Sequence, residues 1–132
     1  MPRVTKREHI RRMVDAVKGP LRLQDWIIEV QVQRMSAKDG KAGCVAKPEY
    51  KEATLYFDLR RIPLADLWPF VLHEMLHIHI WKLAAVGERL AGTDTKHLEA
   101  VNWEEEALAT ELERLLTPLL EPYVRPILEE LQ

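Results

Sequence analysis

Apolar and polar residues recur with different periods along the chain, and each period predicts one type of element. From Val4 to Lys18 apolar residues recur every three or four positions, which predicts an amphipathic helix that Gly19-Pro20 ends. From Trp26 to Val32 the period becomes two, as in a strand with one buried face. Ala42–Ala46 and the β-favouring run Ala53–Leu59 predict two further strands. Because no helix separates them, the three strands favour an antiparallel meander within a small antiparallel or mixed sheet.

A long helix is predicted after Ile62-Pro63, where apolar residues continue to Val86 on nearly every face. Asp66 is placed to cap its first turn, and Gly87 is expected to end it. A helix that is apolar all round is a buried helix, so we expect this segment at the centre of the core. After a looser stretch, Thr93-Asp94-Thr95 predicts the start of a second long helix.

The C-terminal third carries a helical stripe of apolar residues that prolines interrupt. The stripe consists of Leu98, Val101, Leu108, Leu112, Leu115 and Leu119. Pro118, Pro122 and Pro126 follow at intervals of four residues, and a proline inside a helix removes a backbone hydrogen bond. We therefore expect the second long helix to give way to one or two separate short helices. Together the patterns predict an α+β fold in one domain over residues 1–132, a length with little room for a second domain.

Composition and charge exclude several classes of protein. An apolar fraction of 47% and a charged fraction of 30% are typical of a globular protein and not of a disordered one. The net charge of -2 gives no basic field for nucleic acid, and the basic first helix lacks interleaved aromatic residues, so we expect it to present a solvated face. The single cysteine, Cys44, excludes an internal disulfide framework and a cysteine-based zinc site. No segment has the pattern of a signal peptide or a membrane span, so we expect a cytoplasmic protein without membrane contact.

The candidate chemistry lies in a cluster of histidines on the predicted central helix. His73-Glu74-Met75-Leu76-His77 is an HExxH sequence, and residues four apart share one face of a helix, so both imidazoles can reach one metal ion. Zinc accepts neutral imidazole and keeps a position for water when the protein supplies three ligands. Glu74 is placed to accept a proton from that water. A third ligand is therefore expected, whereas the neighbouring His79 points elsewhere on the helix and is expected to pack or to face solvent.

With this motif the sequence resembles the zincin metallopeptidases. Ile80 and Leu83 stand where metzincins have a glycine and a third histidine, so the resemblance is to gluzincins, in which a glutamate on a second helix completes the site. Residues 63–116 look like ImmA/IrrE-type peptidases and small phage-encoded metallopeptidases. The resemblance implies a minimal zincin-like fold that binds one Zn²⁺ per chain and hydrolyses peptide bonds, with Glu74 as general base. It also implies that the substrate lies as an added strand along a sheet edge, for which Ala53–Leu59 is the candidate.

The sequence leaves the third ligand open among four residues. Residues Asn102–Ala109 look like the glutamate helix of gluzincins, where a small residue often follows the ligand. Glu106-Ala107 matches that pattern best. Glu105 lies nearer the centre of the apolar face of the helix, which favours Glu105 instead, and Glu104 lies at the edge of that face. His97 would give a three-histidine site similar to that of SprT-like proteins. The prediction ranks Glu106 just ahead of Glu105.

Two functions are consistent with these residues. The first is a zinc-dependent peptidase that acts on a protein or peptide substrate. The alternative is a zincin-fold regulatory or binding protein whose metal is mainly structural and which has no peptidase activity. A third and weaker hypothesis is a nucleic-acid accessory protein that uses the basic first helix, and the oligomeric state stays open.

Overall fold

The computed structural model of the chain describes residues 5–131, except the side chain of Lys82, as three α-helices and one three-stranded sheet. The elements in chain order are α1 (Lys6–Lys18), β1 (Ile27–Val32), β2 (Ala42–Lys47), β3 (Glu52–Phe57), α2 (Leu67–Ala91) and α3 (Thr95–Glu130). Short 3-10 turns precede β3 and α2. The α+β class is confirmed, as is the order of a first helix, three strands and two long helices. Val4, which the sequence assigns to the first helix, lies outside the described residues.

One core joins the three helices to the sheet. Its fully buried side chains include Ile10, Met13 and Val17 of α1, Leu55 and Phe57 of β3, and Leu67, Val71, Leu72 and Met75 of α2. The first helix begins at Thr5, whose hydroxyl accepts a hydrogen bond from the backbone N–H of Glu8 at 3.2 Å, and it ends at Gly19 as predicted. The Arg12 guanidinium of α1 donates to the carboxylate of Glu130, the last residue of α3, at 2.7 Å. The first and last helices of the described chain are therefore in contact.

The sheet is mixed, and the predicted meander is wrong. The strand order is β1-β3-β2, with β1 parallel and β2 antiparallel to β3. The segment Ala53–Leu59, expected at the sheet edge, therefore supplies the central strand. Leu55 and Phe57 have no solvent exposure, and the strand with the most buried face takes the position with a neighbour on each side. β2 is the edge strand that packs against α2.

The connection from β1 to β2 crosses the end of β3 and is held there by polar contacts. The buried Asp58, just after β3, accepts a hydrogen bond from the backbone N–H of Met35 at 3.1 Å. The Arg60 side chain also donates to Asp58, and this bond and that of Met35 hold the pKa of the Asp58 carboxyl below its usual value. Arg61 donates to the carbonyl oxygens of Met35 and Gly40. The contacts of Asp58 and Arg61 with Met35 and Gly40 link residues more than twenty positions apart, and they hold the connection across the end of β3.

α2 is longer than predicted because Gly87 does not end it. The helix continues to Ala91 and stops at Gly92, whose φ of 62° suits glycine. A Cβ atom at Gly87 would lie 3.2 Å from the Val101 side chain, so this glycine permits close approach of α2 and α3. Asp66 occupies the predicted capping position, but its side chain makes no capping hydrogen bond.

α3 is a single helix of 36 residues, so the predicted separate C-terminal helices are wrong. It begins in the predicted segment Thr93-Asp94-Thr95, and Asp94 caps it by accepting from the backbone N–H groups of Lys96 and His97. Pro118, Pro122 and Pro126 are all exposed, since a spacing of four keeps them on one face. The carbonyl groups that they leave without partners lie on this wet face, where water can satisfy them. None of the described helices combines the length and the apolar character that crossing a bilayer requires.

The continuity of α3 predicts a stability difference between two apolar residues near its end. Ile127 is buried against the core, whereas Leu119 is 63% exposed. Ile127→Ala is expected to lower the free energy of unfolding by about 2–5 kcal/mol, because it removes buried methyl groups. Leu119→Ala is expected to change it by about 0.5 kcal/mol or less. Urea titration of both variants measures the difference, and equal effects would show that the last turns are not packed as described.

Candidate metal centre

Two imidazoles on neighbouring turns of α2 face each other. The Nε2 atoms of His73 and His77 lie 3.3 Å apart, and the ring centroids lie 5.0 Å apart. Two ligand atoms bound at about 2.1 Å in tetrahedral geometry are roughly 3.4 Å from each other. The pair therefore has the separation that one zinc ion requires.

The carboxylate of Glu106, on α3, meets both of these nitrogens. Its Oε1 lies 2.9 Å from Nε2 of His77, and its Oε2 lies 3.2 Å from Nε2 of His73. The three groups thus converge on one point from two helices. The short connection between α2 and α3 makes them antiparallel neighbours, which brings the middle of one helix beside the middle of the other.

The outer nitrogen of each imidazole has a carboxylate partner of its own. Nδ1 of His73 lies 3.1 Å from Oε1 of Glu113, and Nδ1 of His77 lies 3.0 Å from Oε1 of Glu105. An ionised carboxylate only accepts, so each Nδ1 can donate to its outer carboxylate, while each Nε2 is directed toward Glu106 and is the nitrogen placed for a metal. Partners of this kind orient histidine ligands and raise their basicity in metal sites. The chemistry of the donor set therefore fits zinc.

Glu74 lies on the inner side of the cluster and is 5% exposed. Its Oε1 is 4.0 Å from Nε2 of His77, so His73, Glu74 and His77 offer ligand atoms within 4.8 Å of one another. Glu106 approaches the same nitrogen more closely, with its Oε1 at 2.9 Å from Nε2 of His77. Burial raises the pKa of the Glu74 carboxyl to about 7; the nearby carboxylates add to the rise and His73 opposes it.

The site is closed on the core side and open on the other. The His77 side chain is 8% exposed and that of His73 is 18% exposed, whereas 63% of the Glu106 side chain is accessible. On the core side, burial raises the pKa of the Cys44 thiol on β2 well above its usual range, and the carboxylates of Glu74 and Glu105 contribute. The edge strand β2 packs against α2, the helix that carries His73, Glu74 and His77.

The other candidate residues lie apart from the two Nε2 atoms. Among the described residues, Glu104 makes no hydrogen bond or ion pair with either histidine, and its side chain is exposed. His97 is exposed at the start of α3, where its Nδ1 lies 2.7 Å from Asp94. His79 faces solvent, and its Nε2 donates to the carbonyl oxygen of Leu21 at 2.7 Å, which is a structural contact.

Glu113 is the site residue that sequence reasoning missed. It follows Glu106 by seven residues, which is two helical turns, and so it lies on the same face of α3. Because α3 runs antiparallel to α2, a residue further along α3 meets a residue earlier on α2, and Glu113 reaches His73. That spacing was visible in the sequence, but the antiparallel pairing that gives it meaning was not.

Loss of the contact between Glu113 and His73 is expected to weaken zinc binding. Glu113→Ala is expected to lower zinc affinity about 10- to 100-fold, the usual effect of removing an outer partner of a histidine ligand. Glu111→Ala, at an exposed position on the same helix, is the matched control and is expected to bind as the wild type. Competition with a chromophoric chelator measures both affinities. Equal affinities for the two variants would remove Glu113 from the site.

Comparison of the chain with protein-family models, with curated proteins and with solved structures finds no match in any of the three. Three separations define the geometry of the site: the one between the two Nε2 atoms and the two from these atoms to the Glu106 carboxylate.

Proposed function

We propose that the protein is a zinc-dependent peptidase of the gluzincin type, with a minimal zincin-like fold. His73, His77 and Glu106 are the ligands of one Zn²⁺ per chain, and Glu74 is the general base. The observation that carries the proposal is the convergence of two imidazole nitrogens and one carboxylate within 3.3 Å of one another. A buried glutamate beside that point is the group that metal-assisted hydrolysis needs.

The residues of the site divide the work of hydrolysis between them. When bound, zinc would supply the Lewis acidity that polarises a peptide carbonyl and makes water a nucleophile near neutral pH. Glu74 accepts a proton from the attacking water at its carboxylate and returns it to the leaving amine. Glu105 and Glu113 keep the two imidazoles in the tautomer that leaves Nε2 free for the metal.

The free edge of β2 is the proposed binding edge for the peptide backbone. The backbone carbonyl oxygen of Lys41 accepts a hydrogen bond from the Asp58 N–H. Because bonded and non-bonded pairs alternate in an antiparallel ladder, the backbone groups of Ala42, Cys44 and Ala46 are directed away from β3. A peptide that pairs with these groups adds a strand to the sheet. β2 is also the strand that packs most extensively against α2, the helix that bears the proposed ligands His73 and His77.

The openness of the site favours a catalytic metal over a structural one. Structural zinc sites are closed by four protein ligands, whereas catalytic sites have three and an accessible fourth position. The exposed Glu106 carboxylate lies at the mouth of the site, and the partly exposed His73 lies beside it. The fourth position would therefore be reachable by water and by substrate.

Zinc analysis and a cleavage assay on one preparation test the proposal. We expect about one zinc per chain after dialysis, and cleavage of an end-capped decapeptide library that stops when a chelator is added and returns with zinc. A protein that binds no zinc would contradict the proposal at its first step. Stoichiometric zinc without cleavage of the library or of unfolded protein would instead support a binding protein with a structural metal.

A further inference from the structure

A row of leucines runs along one face of α3 beside the face that packs on the core. Leu108, Leu112, Leu115 and Leu119 follow one another at spacings of four, three and four residues, which place all four on one side of the helix. Leu115 is 61% exposed and Leu119 is 63% exposed, whereas Leu112 is half-buried at the boundary with the core. We call these four residues the leucine seam.

The leucine seam has the pattern of a surface that packs against another helix. Single apolar residues scattered over a surface are ordinary, but a continuous exposed row marks an interaction site. Spacings that alternate between three and four residues are those of helices that pack along each other with their side chains interlocked. The partner that suits this surface is therefore helical.

The leucine seam is also complementary to itself. The order of its spacings is the same from either end, so a second copy that runs antiparallel places Leu108 opposite Leu119 and Leu112 opposite Leu115. A two-fold axis between these pairs gives both chains identical contacts, as closed dimers require. This symmetry favours a second copy of the chain over an unrelated helix.

The charges beside the leucine seam are complementary in the same antiparallel arrangement. Glu104 and Arg125 are 21 positions apart, which is three heptads, so both lie on the same flank of the seam. Both are exposed, and among the described residues neither has an ion-pair partner. With Leu108 opposite Leu119, Glu104 of one chain comes within two residues of Arg125 in the other. The two-fold axis creates this pair of opposite charges twice.

The other flank of the leucine seam offers apolar area to the same partner. A groove of about 590 Å³ lies between α2 and α3, and its walls include Leu83, Leu90 and Leu108. Because Leu108 belongs to both features, the second copy of α3 continues from the seam along the groove. Tyr123 of that copy is 54% exposed and lies one turn beyond its Leu119, where it can cover the groove. Stable interfaces need such area in addition to a single row of contacts.

The leucine seam lies away from the metal-binding residues. Glu106 precedes Leu108 by two residues, which is slightly more than half a helical turn, so the two side chains point to different sides of α3. Assembly through the seam therefore leaves the metal centre of each chain accessible.

We propose that the leucine seam is the interface of a homodimer, in which α3 of one chain packs antiparallel on α3 of a second chain around a two-fold axis. The interface is made by one helix and its flanks, so it is smaller than that of an obligate dimer. We expect a dissociation constant of about 1–100 μM. This inference does not depend on the proposed function, because none of the metal-binding residues belongs to the seam.

Sedimentation equilibrium of the full chain over a range of concentrations tests the dimer. The mass should rise from that of one chain, 15.4 kDa, to about twice that value. Leu115→Glu places a charge in the seam and should raise the dissociation constant at least about 30-fold. Trp103→Glu is the matched control, since Trp103 is 76% exposed on a different face of α3, and it should dimerise as the wild type does. Urea titrations of Leu119→Ala and Ile127→Ala are made below the dissociation constant, so that they measure unfolding of the monomer.

Two outcomes of the sedimentation experiment would overturn the inference. A wild type that stays monomeric at every concentration would leave the seam to a different partner or to none. Equal dissociation constants for Leu115→Glu and Trp103→Glu would place the interface elsewhere on the molecule.

Charge reversal tests the antiparallel arrangement. Glu104→Arg and Arg125→Glu each bring like charges together at two places in the dimer, so each should raise the dissociation constant about 3- to 10-fold. The variant that carries both substitutions restores opposite charges and should regain the affinity of the wild type. A double variant that dimerises no better than the two single variants would contradict this arrangement of the helices.

Discussion

Replacing Glu74 by glutamine is expected to lower the rate of peptide hydrolysis about 10²- to 10⁴-fold while zinc remains bound. The amide is nearly the same size as the carboxyl, so the buried pocket around it stays filled. It cannot accept a proton from water as a carboxylate does, and that is the role proposed for this side chain. The measurement is kcat/KM on one cleaved peptide, with zinc content determined on the same samples.

Glu88→Gln is the matched control for this substitution, because Glu88 is an exposed residue of α2 away from the cluster. It should retain the wild-type rate. Should Glu74→Gln hydrolyse peptide as fast as Glu88→Gln, Glu74 would not be the general base. Loss of zinc together with activity in Glu74→Gln would instead make Glu74 a ligand.

The second large effect is expected at Glu106. Glu106→Ala removes the carboxylate that contacts both Nε2 atoms. Zinc affinity should therefore fall by more than about 100-fold, which is the largest loss usual when a hydrogen-bond partner of a ligand is removed. Activity should be lost in parallel. Glu104→Ala changes the same residue type two positions earlier, at an exposed site without contact to the described histidines, and should leave zinc affinity unchanged.

Glu105→Ala completes this comparison of the three adjacent glutamates. It removes the partner of His77 Nδ1, so its effect is expected to lie between those at Glu104 and Glu106. Isothermal titration with zinc gives all three affinities. A larger loss at Glu105 or at Glu104 than at Glu106 would transfer the ligand role to that residue.

The local features of the site were predictable from sequence because they depend on spacing along one helix. His73 and His77 are four residues apart, and the helical period alone places both rings on one face. The choice between Glu105 and Glu106 was not predictable in this way. Both side chains reach His77, and only the packing of α2 against α3 determines which ring nitrogen each one meets.

The errors in the predicted fold have a common physical cause. The strand order, the continuation of α2 through Gly87 and the continuity of α3 are all settled by contacts between residues far apart in the chain. Asp58 and Arg61 hold the connection between β1 and β2 by hydrogen bonds. Gly87 lies inside α2 where the Val101 side chain of α3 packs closely against it. α3 stays helical through its three prolines while its opposite face is buried against the core. Local preferences predict where helices and strands form, but they do not determine their neighbours.

Diffraction data collected at the zinc absorption edge test the central claim most directly. Crystals grown with one equivalent of zinc should show a single anomalous peak about 2.0–2.2 Å from Nε2 of His73, Nε2 of His77 and an oxygen of Glu106. Glu74 should lie near the peak without bonding to it. No peak between the two imidazoles, or a peak whose third ligand is Glu104 or His97, would contradict the account.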